Sequence, residues 1–204
     1  MKTIQTKLET AAVFSDDGSK RYLLKKLWDS KKPSLAIIML VPSEASGIAL
    51  DNTTLLVLNN AFRLGYGSVS IVNLFANLND TSLTCEEESD AVNLAMITEE
   101  AKQSDTVVYA PGVGKSKNPI FQTRAAQVLE ALKPYSKKLK CISNDDNTVR
   151  LLHPLTPVVR TWVLRDVTIE EALQAAPKEV HTEKRPVGRP RKAAAEKPSA
   201  VGSL

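Results

Sequence analysis

The apolar and polar positions of the chain fall into short runs of two alternating kinds. One kind is largely apolar and no more than eight residues long: SLAIIMLV (34–41), SVSIVNLF (68–75), TVVYA (106–110) and KLKCIS (138–143). Such runs are the pattern of strands buried on both faces of a sheet. The other kind carries helical spacing. Asp51 and Asn52 can cap a helix that reaches about Leu64, with Leu55, Leu58, Ala61 and Phe62 on one face and Gly65 and Gly67 beyond its end. EEESDAVNLAMITEEAKQ (86–103) places acids in its first turn, where the helix dipole favours them. A third helix is expected from about Pro119 to Leu132, and TIEEALQAA (168–176) reads as a last short one. Before the first strand, AAVF, a DDGS turn and KRYLLKKLW (together 11–28) read as a hairpin.

Strands alternating with helices predict an α/β chain in three α/β/α layers. Its expected centre is a mainly parallel sheet of four strands, with the hairpin added at the N-terminal side. The expected partition is a folded domain over 1–166, a short helix or linker over 167–176, and a disordered basic tail over 177–204. Sheets of this kind bind ligands in the crevice at the carboxyl ends of their strands. The loops PSEASG after 41, ANLND after 75, PGVGKSKN after 110, and SNDDN through HPLTP after 143 are therefore where functional residues are sought.

Composition alters the picture at one end only. A chain of 204 residues, 43% hydrophobic and 25% charged, has the make-up of a soluble domain with room for one core. No apolar run approaches the roughly 18 residues of a membrane span, and MKTIQTKLET lacks the apolar segment of a secretory signal. Cys85 and Cys141 form no CxxC pair, which fits free thiols in a reducing, cytoplasmic setting. Together with His153 and His181 they show no zinc-ligand spacing, and no metal or cofactor is expected. Residues 177–204 carry seven basic and three acidic residues, so the net +4 sits in the tail and residues 1–176 are balanced at 20 of each sign. A basic end on a neutral domain is a common layout for nucleic-acid binding.

Candidate chemistry is sparse. In YAPGVGKSKNP the GKS follows a strand and precedes a helix, but Tyr109 stands where a phosphate loop needs its first glycine. A basic loop that touches phosphates fits better. Ser43 and His153 lack the elbow motif of a hydrolase. His153, in the proline-stiffened HPLTP, could donate to an anionic oxygen or act as an acid near neutrality, or it could be structural. Asn73 ends an apolar strand with an amide that is both donor and acceptor, suited to the edge of a base or to bracing a loop. In the tail, KRPVGRPRK (184–192) is an extended, narrow basic segment of the sort that lies in the minor groove of A·T-rich duplex DNA.

RYLLKKLWD (21–29), IIMLVPS (37–43), DNTT (51–54), LGYGSVSIVNLFA (64–76), EESDAVNL (87–94) and LLHPL (151–155), in that order, resemble the domain-of-unknown-function family 1643 of bacterial and phage proteins. That family is similar in layout to the uracil-DNA glycosylase superfamily. The similarity implies that the residue before the loop proline, here Val41, stands where a group positions the attacking water. It implies that Asn73 reads a flipped base and that His153 stabilises the departing base anion. Valine cannot orient water, so Ser43, Glu44 or Asp51 would have to substitute. The tail separately resembles an AT-hook: Gly188, Arg189 and Pro190 match its core, Lys184, Arg185, Arg191 and Lys192 flank it, and Val187 replaces a core arginine. These resemblances imply a DNA-associated protein with a base or nucleotide pocket, weak in catalysis and tethered to duplex DNA. The alternatives are an active base-processing enzyme and a phage-type module that binds a protein partner.

Overall fold

The computed structural model describes residues 1–45, 47–80, 82–143 and 151–174. The four apolar runs become β3 (Ser34–Met39), β4 (Ser68–Asn73), β5 (Thr106–Tyr109) and β6 (Leu139–Ser143), which pair with one another in parallel. The sheet does not stop at four strands. The hairpin strands β1 (Glu9–Phe14) and β2 (Arg21–Leu27) continue it, with β2 antiparallel to β4. On the other side β7 (Val163–Asp166) pairs antiparallel with β6. The result is one mixed sheet of seven strands in the order β1-β2-β4-β3-β5-β6-β7. Two causes account for the correction. β2 lies inside the sheet, and its first four residues are all buried, so YLL shows none of the alternation that marks an outer hairpin strand. The four-residue β7, with its mixed VLRD sequence, is held by its pairing with β6 and carries little local signal.

The helices begin where local chemistry says they should. Asp51 precedes α1 (Asn52–Arg63) and accepts from the Thr54 N–H at 2.7 Å. α2 (Glu87–Gln103) carries Glu87, Glu88 and Asp90 in its first turn. α3 (Pro119–Ala131) starts with an Asn118 cap and a proline whose missing N–H costs nothing there. The apolar residues divide into two layers across the sheet. Val57 and Ala61 of α1 join Leu35, Ile37, Val69, Ile71 and Trp162 on one face. Ile97 of α2 and Phe121, Ala125, Val128 and Leu129 of α3 join Ile38, Val72, Tyr109 and Cys141 on the other. α4 (Ile169–Gln174), within the segment expected to be helix or linker, adds Ile169 and Ala172 to that second layer.

One glycine sets how the sheet starts. A Cβ on Gly67 would lie 1.9 Å from the Asp29 carbonyl oxygen. The bare backbone lets Gly67 accept from the Trp28 and Asp29 N–H groups at 2.9 and 3.0 Å and donate to the Pro33 carbonyl at 2.8 Å. This seals the entry to β3 and β4. The 177–204 tail, including Lys184, Arg185, Gly188, Arg189, Pro190, Arg191 and Lys192, lies outside the described residues, as does 144–150 of the loop after β6.

Candidate functional site

The loop after β3 is built around two buried cations from β2. The β1–β2 register shifts between Val13 and Phe14, which pair with Leu23 and Arg21. Two residues of β2 are thus accommodated for one of β1, and Arg21 comes onto the same face as Leu24 and Lys26. Arg21 is 1% exposed. Its Nη1 donates to the carbonyls of Ser43, at 3.0 Å, and Ala45. Lys26, equally buried, donates through Nζ to the Gly47 carbonyl. A loop rich in small residues is thereby drawn onto the α1 face of the sheet.

Asp51 sits at the end of this loop. Burial works to raise its pKa. Hydrogen bonds from Ser43 and Thr54 and the charge of Arg21 outweigh that effect, and the carboxyl is held below the usual carboxylate range. It is ionised at neutral pH. His153 lies within its field: burial lowers the imidazole pKa, and the Asp51 charge opposes the shift without cancelling it. The imidazole Nδ1 accepts the Leu155 N–H at 3.2 Å. A neutral ring bonded in this way carries its proton on Nε2 and offers that N–H as a donor. His153 also backs directly onto the loop after β5, since a Cβ on Gly112 would lie 3.1 Å from the His153 Cβ.

Asn73 is the last residue of β4 and pairs in register with Met39 of β3. Strand alternation puts it on the face of Val69 and Ile71, the α1 side. It is 1% exposed, yet neither its amide oxygen nor its amide nitrogen has a hydrogen-bond partner among the described residues. Its backbone is held firmly all the same. Asn93 of α2 donates to the carbonyls of Asn73 and Leu74 at 2.9 and 3.1 Å, and Arg124 Nε of α3 donates to Leu74 at 2.8 Å. Beyond it, Asn79 ties this loop to the one after β3, donating through Nδ2 to Glu44 at 2.9 Å and through its N–H to the Pro42 carbonyl at 3.0 Å.

Ser43, Asp51 and His153 therefore converge at the carboxyl end of the sheet, and Asn73 reaches the same end on the same face. Val41 does not join them, because its side chain packs against the core on the α2–α3 face. The sequence pattern also missed Arg21. Its signal is a lone cation opening an otherwise apolar RYLL segment. The model of the family described as a protein of unknown function, DUF1643, matches residues 21–155, about two thirds of the chain. The chain belongs to that family. The matched span of this DUF1643 domain opens on Arg21 and closes two residues past His153, so it contains the whole cluster. No curated protein and no solved structure matches the chain. Among the described residues no helix is long and apolar enough to cross a membrane, and no group of three or more His, Cys, Asp or Glu side chains is placed to hold a metal ion.

Proposed function

We propose that this DUF1643 protein binds a nucleobase or nucleotide at the carboxyl end of its sheet, with little glycosidic cleavage of its own. The supporting observation is the Asn73 amide, buried and without a partner for either polar atom among the described residues. A buried amide left unmatched costs about 1–3 kcal/mol. The cost is recovered when a ligand presents an acceptor and a donor side by side, as the edge of a base does. The Nε2–H of His153 supplies a neutral donor for a carbonyl oxygen at the same end of the sheet. The layout resembles that of the uracil-DNA glycosylases in these two residues. Val41 departs from it, having nothing with which to position water. The basic tail, similar to an AT-hook, would hold the domain on duplex DNA.

A second reading, an active base-processing enzyme, draws support from Asp51. A carboxylate held ionised next to Ser43 and facing His153 is a group that can orient water.

The test has three arms. Equilibrium binding of free nucleobases, or of a short single strand with an unpaired base, should be measurable for the natural chain and lost in Asn73→Leu. Base release from single- and double-stranded DNA should stay near background, since loss of one positioned catalytic group costs about 10²–10⁴-fold. Robust turnover abolished by Asp51→Asn would establish the second reading. Deleting residues 177–204 should weaken duplex binding and flatten its salt dependence by roughly 0.9 log units per lost phosphate contact. Unchanged binding after that deletion would remove the tail from the proposal.

A further inference from the structure

The two edges of the sheet are finished differently. β7 closes one of them with a short VLRD strand, half of it charged, and Lys140 of β6 pairs with its Asp166. Short strands and charges are how natural sheets keep an edge from pairing with another chain. β1 forms the other edge and pairs only with β2. Alternate N–H and C=O groups along Glu9–Phe14 therefore point away from the sheet, and among the described residues nothing bonds to them. No lysine, arginine or proline guards this strand. Its one charged residue, Glu9, stands at its start and is matched by Lys7. The extra residue at the register shift belongs to β2, so β1 itself runs without a bulge. Leu8, Val13 and Phe14 are exposed, and residues 1–8 add no strand to this edge.

Charge indicates what covers the edge. The lead-in MKTIQTKL carries Lys2 and Lys7 and no acid. The turn after β1 carries Asp16 and Asp17, which form no ion pair among the described residues. Antiparallel pairing of two copies runs each basic lead-in past the acidic turn of the other. Opposed residues alternate between hydrogen-bonded and open pairs, so a two-fold axis must pass through one residue and its own copy. With Ala12 on the axis, Ala11 meets Val13, Thr10 meets Phe14 and Glu9 meets Ser15, while Lys7 comes to the Asp16–Asp17 turn. No like charges are opposed in this register.

We propose that β1 is a dimerisation strand, which pairs antiparallel with β1 of a second copy of this chain about an axis at Ala12 and joins the two sheets into one. The edge abuts the loop clasped by Arg21 and Lys26, because Thr10 Oγ1 donates to the Gly47 carbonyl at 3.3 Å. Pairing therefore steadies that loop from outside.

Sedimentation equilibrium of the full chain should show a monomer–dimer equilibrium at about 1–100 µM protein, and added salt should weaken it. Lys7→Glu, exposed and outside the strand, should weaken the dimer about tenfold, because each dimer then opposes like charges twice. Ala11→Lys together with Val13→Lys places cations at two exposed positions of the edge and should leave only monomer, with the melting temperature little changed. Ala12→Cys in a Cys85→Ser background should oxidise to a linked dimer, since opposed Cα atoms lie about 4.5–5.5 Å apart. Glu9→Cys, about 20 Å from its own copy in this register, should not. A chain that stays monomeric throughout that range would overturn the proposal. So would a dimer that survives both lysines, or one that links through Glu9→Cys as readily as through Ala12→Cys.

Discussion

Two buried arginines brace the same end of the sheet from opposite faces, and they are satisfied in different ways. Arg124, 2% exposed, is fully engaged. Its Nε donates to the Leu74 carbonyl and its Nη2 to the Asp90 carbonyl at 3.0 Å, and the Asp90 carboxylate lies 3.9 Å away. It locks α2, α3 and the end of β4 into one unit. Among the described residues, Arg21 reaches only the carbonyls of the loop after β3. Its Nε has no partner among the described residues, and its nearest balancing charge, Asp51, acts as a field. A guanidinium with every nitrogen engaged holds a scaffold, whereas one that lends charge to a neighbouring carboxylate sets the electrostatics of a site. The rigid unit holds the backbone at Asn73 and Leu74, and the adjustable loop presents Asp51 and Ser43.

The largest effect should come from the scaffold. Arg124→Met removes charged hydrogen bonds to two carbonyls and leaves Asp90 without its cation, and should cost about 3 kcal/mol in denaturant unfolding. Arg21→Met should cost less, about 2 kcal/mol, because the loop it holds can turn its carbonyls to water. It should also raise the pKa of Asp51, observable by carboxyl NMR titration, a change that Arg124→Met should not produce. If the two variants lost equal stability and neither moved Asp51, the distinction between scaffold and site would fail.

Asn73→Leu should have the opposite sign. It replaces an unmatched buried amide with an apolar side chain of the same branched shape and should stabilise the fold by about 1 kcal/mol while abolishing base binding. A loss of stability instead would make Asn73 a structural residue.

The smallest effect is a pH dependence. His153 has its pKa lowered by folding, so the unfolded chain takes up the proton first. Its contribution to stability is complete above the unfolded value near 6.5 and is lost as pH falls through the lower folded value. Melting temperature should therefore decline below about pH 6.5, and His153→Gln should flatten that part of the profile.

Much of the site was legible one residue at a time. Asn73 stood out as an amide closing an apolar strand, Asp51 as a cap, and His153 as an imidazole at the head of a proline-stiffened loop. Each could be read because the signal is local: a cap needs three residues and a strand needs six. That the loops after the parallel strands meet in one crevice follows from the alternation of strands and helices, but the departure of Val41 to the other face was not legible. That departure depends on how the chain turns after Met39. Arg21 was hidden for a related reason, since it reaches the α1 face through a register shift against Phe14, a residue of another strand.

The sequence by itself determined where the hairpin, the four parallel strands and the helices form, because hydrophobic period, capping and the tolerance of glycine and proline act over a few residues. It also determined the family, through motifs spread from Arg21 to Leu155. Tertiary structure decided the rest: that the sheet has seven strands, that two buried cations clasp one loop, and that Asn73 and Tyr109 keep polar atoms without partners among the described residues. These properties depend on which distant residues meet. Pairing across a sheet and the matching of buried polar groups are settled only when the whole core closes, and no local pattern records them.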